Sequence, residues 1–120
     1  MTKILIAEDH SVTQRVLSHI LQKDGYDVTL ASNGQEALDY LAENRVDLVI
    51  LDIDMPEVDG ITVLRDLRGR EDYMDVPICM LTASGQDDDR VAAQGEGADE
   101  FLTKPVASHI LLETIQRLLG

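Results

Sequence analysis

Four separated stretches of this chain run into side chains that can hold or neutralise charge. The apolar residues 48–51, Leu-Val-Ile-Leu, lead directly into Asp52, with Asp54 two residues on and Pro56, Asp59 and Gly60 following. Glu8-Asp9 follows Ile4-Leu5-Ile6-Ala7, Thr82-Ala83-Ser84 follows Ile78–Leu81, and Lys104-Pro105 follows the segment DEFLT. Carboxylates held close together raise one another's pKa and resist ionising as a group. A bound divalent cation inverts that logic. Mg²⁺ takes hard oxygen ligands in an octahedron, from one or two carboxylates, water and phosphate oxygens, and Mn²⁺ can substitute. On this chemistry Asp9 and Asp52 are direct ligands, and Glu8, with its longer reach, acts through water. Lys104 adds a point charge, Thr82 a hydroxyl and Ala83 a backbone N–H. Such a set would stabilise a phosphoryl group in transit, where catalysis is mostly positioning and charge neutralisation.

Each of these residues also has a plain explanation. Glu8-Asp9 alone reads as a solvated turn before a helix, Thr82 as a strand end and Lys104 as a surface lysine. Their joint placement is what separates a site from coincidence, and that placement depends on the elements that carry them.

Short apolar runs alternate with segments of helical period. KILIAE is a strand by its continuous apolar run. Ser11 to Gly25 reads as a helix: Ser11 with Gln14 forms a capping box, Val12, Val16, Leu17, Ile20 and Leu21 make the apolar stripe, and Gly25 is the stop. DVTLAS is the second strand, and Asn33-Gly34 opens a helix carrying Ala37, Leu38 and Leu41. VDLVILD is the third strand, followed by a helix from Gly60 to about Gly69 with Ile61, Leu64 and Leu67. VPICMLT is the fourth strand. Gln86 to Gln94 is a thin fourth helix with only Val91, Ala92 and Ala93 as apolar contacts, interrupted by Gly95. DEFLT is the fifth strand, and Ser108 to Leu119 the fifth helix. This (βα)₅ alternation implies an α/β protein with a parallel sheet covered by helices on both faces. Ligands in such sheets bind outside the carboxyl ends of the strands, which is where Glu8-Asp9, Asp52, Thr82-Ala83-Ser84 and Lys104 fall.

Composition narrows the partners. A chain of 120 residues fits one domain by the usual range of about 100–200 residues. The net charge of −13 makes nucleic acid and anionic membranes poor partners for this surface. No apolar run approaches the roughly 20 residues of a membrane span. Cys79 is a lone thiol inside an apolar run, which points to a reducing, cytoplasmic setting. The strand-like start at Met1-Thr2-Lys3-Ile4 leaves no room for a signal peptide.

The motifs ILIAEDH, DLVILDIDMPEVDG, ICMLTAS and GADEFLTKP, in this order and spacing, resemble the receiver domain of bacterial two-component response regulators, of the chemotaxis-regulator type. The resemblance covers residues 1–120 as one receiver domain. It implies a doubly wound, flavodoxin-like (βα)₅ fold with a five-stranded parallel sheet of order 2-1-3-4-5. It implies transfer of a phosphoryl group onto Asp52 from the phosphohistidine of a histidine kinase or phosphotransfer protein. Glu8, Asp9 and Asp52 would bind Mg²⁺, Asp54 would add its backbone carbonyl, and Thr82, Ala83 and Lys104 would bind phosphate oxygens. Thr82 and Phe101 would be the switch pair, Asp54 and Ser84 would tune the phosphoryl lifetime, and the Lys104–Pro105 bond would be cis. The readout surface, and a possible homodimer face, would be the fourth helix, fifth strand and fifth helix. The fourth helix is the expected labile element, and a kinase or phosphotransfer helix would dock near the first helix.

Two other classes compete. D-x-D also suggests a small Mg-dependent aspartyl phosphohydrolase of the haloacid-dehalogenase type. There the second Asp is a general acid followed two residues on by Thr or Val, and here that position is Pro56. In the receiver, by contrast, the domain is no enzyme beyond its own phosphorylation and dephosphorylation. Flavin binding needs a hydroxyl- and glycine-rich loop after the first strand, where this chain has acids. Among the histidines, His19 and His109 read as surface residues, and His10 adjoins the acidic pair. The output target, the cognate kinase and whether this receiver stands alone or within a longer protein stay open.

Overall fold

The computed structural model describes residues 1–83 and 92–120. The strands are β1 (Lys3–Ala7), β2 (Asp27–Ala31), β3 (Leu48–Asp52), β4 (Ile78–Thr82) and β5 (Glu100–Thr103). The helices are α1 (Ser11–Lys23), α2 (Gly34–Glu43), α3 (Gly60–Arg68), α4, of which residues 92–95 are described, and α5 (Ser108–Leu119). All five strands form one parallel sheet of order β2-β1-β3-β4-β5.

Side chains alternate across a strand with period two, and the alternation sorts the core into two layers. Leu5, Ala7, Val49, Leu51, Ile78 and Met80 face α2 and α3, where they meet Ala37, Leu41, Val63, Leu64 and Leu67. Ile4, Ile6, Leu48, Ile50, Cys79 and Leu81 face the other way, against Leu17 and Leu21 of α1 and Leu111 and Ile115 of α5. Every residue of β3 and β4 is buried, as continuous apolar strands in a doubly covered sheet should be.

Local signals set the helix ends. Asn33 caps α2 by accepting from the Glu36 N–H, and Asp59 caps α3 by accepting from the Thr62 N–H, each at 2.8 Å. Gly25, with φ +96°, closes α1. Its N–H donates to the Gln22 carbonyl, and the Tyr26 N–H donates to the Leu21 carbonyl, the paired pattern of a Schellman stop.

The structure corrects three expectations. Ser11 and Gln14 form no capping box: the N-cap of α1 is His10, without a side-chain cap. Ser11 is already helical, so its hydroxyl is one position too late to cap, and the Gln14 side chain is engaged elsewhere. The apolar stripe of α1 is narrower than expected, because Leu17 and Leu21 are buried while Val12 and Val16 are 62% and 50% exposed. Gly95 does not interrupt α4. Residues 92–95 are helical, and the left-handed residue of the turn is Gly97, with φ +97°. Most of the expected span of the fourth helix, 86–94, and with it the expectation of a labile element, lies outside the described residues.

Candidate functional site

The carboxyl ends of β1, β3, β4 and β5 converge at one edge of the sheet. In register, Ala7 pairs with Leu51, Asp52 with Leu81, and Thr82 with Thr103. Three main-chain bonds carry the alignment past the strands: Glu8 N–H to the Ala31 carbonyl at 3.0 Å, Ile53 N–H to Leu81 at 2.9 Å, and Lys104 N–H to Thr82 at 2.8 Å. Each residue that follows these strands thereby keeps one main-chain bond to a neighbouring strand.

Glu8, Asp9 and Asp52 meet there, with one carboxylate oxygen from each lying within 4.8 Å of the others. Glu8 and Asp52 are buried, while Asp9 is exposed. Lys104 enters from the end of β5 and places Nζ 2.9 Å from Asp52 Oδ2, 2.9 Å from Glu8 Oε2 and 3.2 Å from Glu8 Oε1. The Asp54 N–H donates to Asp52 Oδ1 at 3.1 Å, and the His10 N–H to Glu8 Oε1 at 3.1 Å. Gly60 closes the site from behind. A Cβ at this position would run into the Asp52 carbonyl oxygen, so only glycine lets α3 start this close to the acid.

Burial pushes the Asp52 carboxyl up to about 7, and the nearby Glu8 charge adds to the effect, against the hydrogen bond and charge of Lys104. For Lys104 burial opposes the charged form, but its hydrogen bonds to Glu8 and Asp52 outweigh this and raise its pKa. A buried acid facing an ammonium and a second carboxylate is an electrostatic arrangement that functional sites use and ordinary cores avoid.

Asp52 terminates β3, and Thr82, buried, terminates β4. Ala83 is exposed beside Lys104. Phe101 is half-buried and packs against the core layer of α2 and α3. The Lys104–Pro105 bond is cis. Ser84 lies outside the described residues. Alongside the site a cleft of about 370 Å³ runs between Val12 and Val16 of α1 and Ala83, Lys104, Pro105 and Val106.

The family model for the response regulator receiver domain matches residues 4–116. The chain belongs to the receiver-domain family. Its relatives include the response regulator MprA of a Mycobacterium species (strain KMS), 44% identical over 117 residues, which span 98% of this receiver and 50% of the relative. MprA of Mycobacterium tuberculosis is 43% identical over the same coverage. This receiver therefore spans about half the length of the curated relatives it matches.

Solved structures agree in fold. The receiver domain of a signal transduction histidine kinase from Syntrophus aciditrophicus is 39% identical with a TM-score of 0.93, covering 99% of this chain and 90% of that one. A chemotaxis response regulator of Vibrio cholerae is 34% identical with a TM-score of 0.94, covering 99% of both. The receiver of a sensor histidine kinase from Pseudomonas aeruginosa, solved with a magnesium ion coordinated in its active site cleft, is 34% identical with a TM-score of 0.93 over 99% and 98%. Among the described residues of this receiver, no helix is long and apolar enough to cross a membrane.

Two residues have roles that local spacing does not announce, Gln14 beside the site and Arg68 at the opposite edge of the sheet. Spacing pairs Gln14 with Ser11 as a cap, yet its side-chain amide donates to the Glu8 carbonyl and to Ser32 Oγ. Arg68, at the end of α3, donates to the carbonyls of Tyr73, Met74, Val76 and Gly97 and to Asp99. An isolated Gln or Arg carries no spacing signal, because its partners are distant in sequence or are backbone atoms.

Proposed function

We propose that this receiver accepts a phosphoryl group on Asp52 from the phosphohistidine of a histidine kinase or phosphotransfer protein, and that the phosphorylated form is the signal. The observation that carries the reading is the convergence of Glu8, Asp9 and Asp52 from two strand ends with the Lys104 ammonium from a third.

The residues fit a divalent cation. Glu8 Oε2 is buried and accepts no hydrogen bond among the described residues, although Lys104 Nζ is an ion-pair contact at 2.9 Å. A buried carboxylate beside two further acids is the donor set that Mg²⁺ or Mn²⁺ takes. Glu8, Asp9, Asp52 and the Asp54 carbonyl would hold the ion, which when bound supplies charge neutralisation for the phosphoryl oxygens. Asp52 is the nucleophile: its Oδ attacks phosphorus as the bond to the histidine nitrogen breaks. Lys104, the Thr82 hydroxyl and the Ala83 N–H hold the phosphoryl oxygens. Asp54, exposed beside Asp52, and Ser84 would set how quickly water removes the group, so Asp54→Ala would change the dephosphorylation rate without abolishing phosphorylation.

The same geometry supports a reading of the partner surfaces. The exposed Val12 and Val16 line a cleft that ends at Lys104, which supports docking of the donor's helix on α1. Thr82 and Phe101 would couple the phosphoryl state to the face of α4, β5 and α5, the surface for a downstream partner or a second copy. The lone buried Cys79 supports a cytoplasmic setting. A charge of −13 argues against direct nucleic-acid contact by this domain.

Intact mass after incubation with acetyl phosphate and Mg²⁺ tests the reading. One labile phosphoryl adduct should form, and should be missing without Mg²⁺ and in Asp52→Asn. No adduct on the parent chain, from acetyl phosphate or from phosphohistidine donors, would overturn it.

A further inference from the structure

The acidic pair after β1 is held by very different means at its two residues. Glu8 is fixed through its side chain, which meets Lys104 and the His10 N–H. Asp9 is exposed, and its carboxylate has no hydrogen-bond or ion-pair partner among the described residues. The position of Asp9 therefore depends on its main chain. Its neighbour Glu8 lies one residue past the end of β1, where the sheet stops supplying partners. The Glu8 N–H still reaches the Ala31 carbonyl at 3.0 Å, but its carbonyl has left the ladder.

The Gln14 side chain takes over at that point. Its main-chain N–H belongs to the first turn of α1, donating to the His10 carbonyl at 2.9 Å. Its side-chain amide turns back to the sheet edge, donating to the Glu8 carbonyl and approaching Ser32 Oγ, beyond the end of β2, at 3.3 Å. The Glu8 carbonyl and the Asp9 N and Cα share one planar peptide unit. Holding that oxygen restricts the plane, and the plane carries the Asp9 side chain.

We propose that Gln14 is a positioning residue for cation binding: it aims Asp9 by fixing the Glu8–Asp9 peptide against the ends of β1 and β2. The proposal rests on the phospho-acceptor reading above and adds to it a residue that touches neither cation nor phosphoryl group. Partners that orient metal ligands commonly change metal affinity by 10–100-fold. Because this one acts through backbone, the low end is expected.

The test is Mg²⁺ titration of the full chain followed by amide NMR shifts around Asp9 and Asp52, with a thermal unfolding curve for each variant. Gln14→Met keeps the side-chain length and loses the donor. It should weaken Mg²⁺ binding roughly 10-fold while the unfolding temperature stays near that of the parent. Gln14→Arg restores a donor and should recover most of the lost affinity. Equal affinity in the parent chain and Gln14→Met would overturn the role of Gln14 alone. Equal weakening in Met and Arg variants, in step with lost stability, would show a merely structural residue and overturn it too. If the parent chain binds no Mg²⁺, the phospho-acceptor reading itself falls, and this proposal with it.

Discussion

Lys104 Nζ stands 2.9 Å from Asp52 Oδ2, although the two residues are separated by 52 positions in the chain. The ammonium is also within 2.9 Å of Glu8 Oε2, so one cation serves two buried acids. Removing it would leave both carboxylates facing each other in a desolvated site, a situation relieved by protonation or by loss of stability. Lys104→Met should therefore lower stability in cation-free buffer by about 1–3 kcal/mol, a discounted value because the lysine is partly exposed. Added Mg²⁺ should restore part of that loss, because it replaces the missing positive charge. Urea unfolding with and without Mg²⁺ checks both parts, and the same variant should form its aspartyl phosphate more slowly.

Gly60 marks how tightly the site is built. A Cβ there meets the Asp52 carbonyl oxygen and the Ile53 backbone, neither of which is a flexible side-chain end. The Gly60 N–H also donates to the Ile53 carbonyl at 3.0 Å. Gly60→Ala should cost about 1–3 kcal/mol by overpacking and displace the Asp52–Ile53 backbone. Chemical denaturation should show the loss, and phosphorylation by acetyl phosphate should slow even at temperatures where the variant is fully folded.

Cys79 offers a pH-dependent readout away from the acidic site. It is fully buried in β4, and burial first, then the Glu100 charge, pushes its thiol up to about 12. In the unfolded chain the thiol returns to about 8.5. Between those values the folded state holds the proton that the unfolded state has lost, so stability falls as pH rises. The contribution is complete below about 8.5 and is lost as pH climbs through the folded value. Thiol reagents at pH 8 should leave Cys79 unmodified in the native protein and label it on denaturation. Between pH 8 and 10 the unfolding temperature should fall less in Cys79→Ala than in the parent chain.

Arg68 should prove hard to replace. Its guanidinium ties the end of α3 to the carbonyls of Tyr73, Val76 and Gly97 at 2.7–2.9 Å and to Asp99 at 2.7 Å. Asp99 in turn accepts from the Ile78 N–H at 2.8 Å, joining the starts of β4 and β5. A planar fork with five donors can serve these directions together, and an ammonium cannot. Arg68→Lys should therefore destabilise nearly as much as Arg68→Ala, by about 2–4 kcal/mol for several charge-assisted bonds lost together. Urea midpoints of the two variants give the comparison.

Much of this molecule was legible in order along the chain. The apolar runs Ile4–Ala7, Leu48–Leu51 and Ile78–Leu81 marked the buried strands within a residue or two, because burial on both faces leaves no polar position to confuse the pattern. Asp52 stood out because it ends such a run. The motifs also singled out Glu8, Asp9, Thr82 and Lys104 and ordered the sheet by resemblance.

Other features were decided by partners far away in sequence. Helical period alone placed Val12 and Val16 with the core, yet the sheet meets α1 along Leu17 and Leu21 and leaves both valines at the mouth of a cleft beside Lys104. Local spacing matched Ser11 and Gln14 as a cap, yet the sheet edge presented the Glu8 carbonyl and Ser32, and Gln14 bonded to those. The sequence alone determined the strands, the helices and the identity of the acids at the strand ends, because these follow from hydrophobic period and local chemistry. Only the tertiary structure decided that Lys104 neutralises both Glu8 and Asp52, and which face of α1 stays open. Distances between residues remote in the chain are set by sheet register and helix packing, which no local pattern encodes.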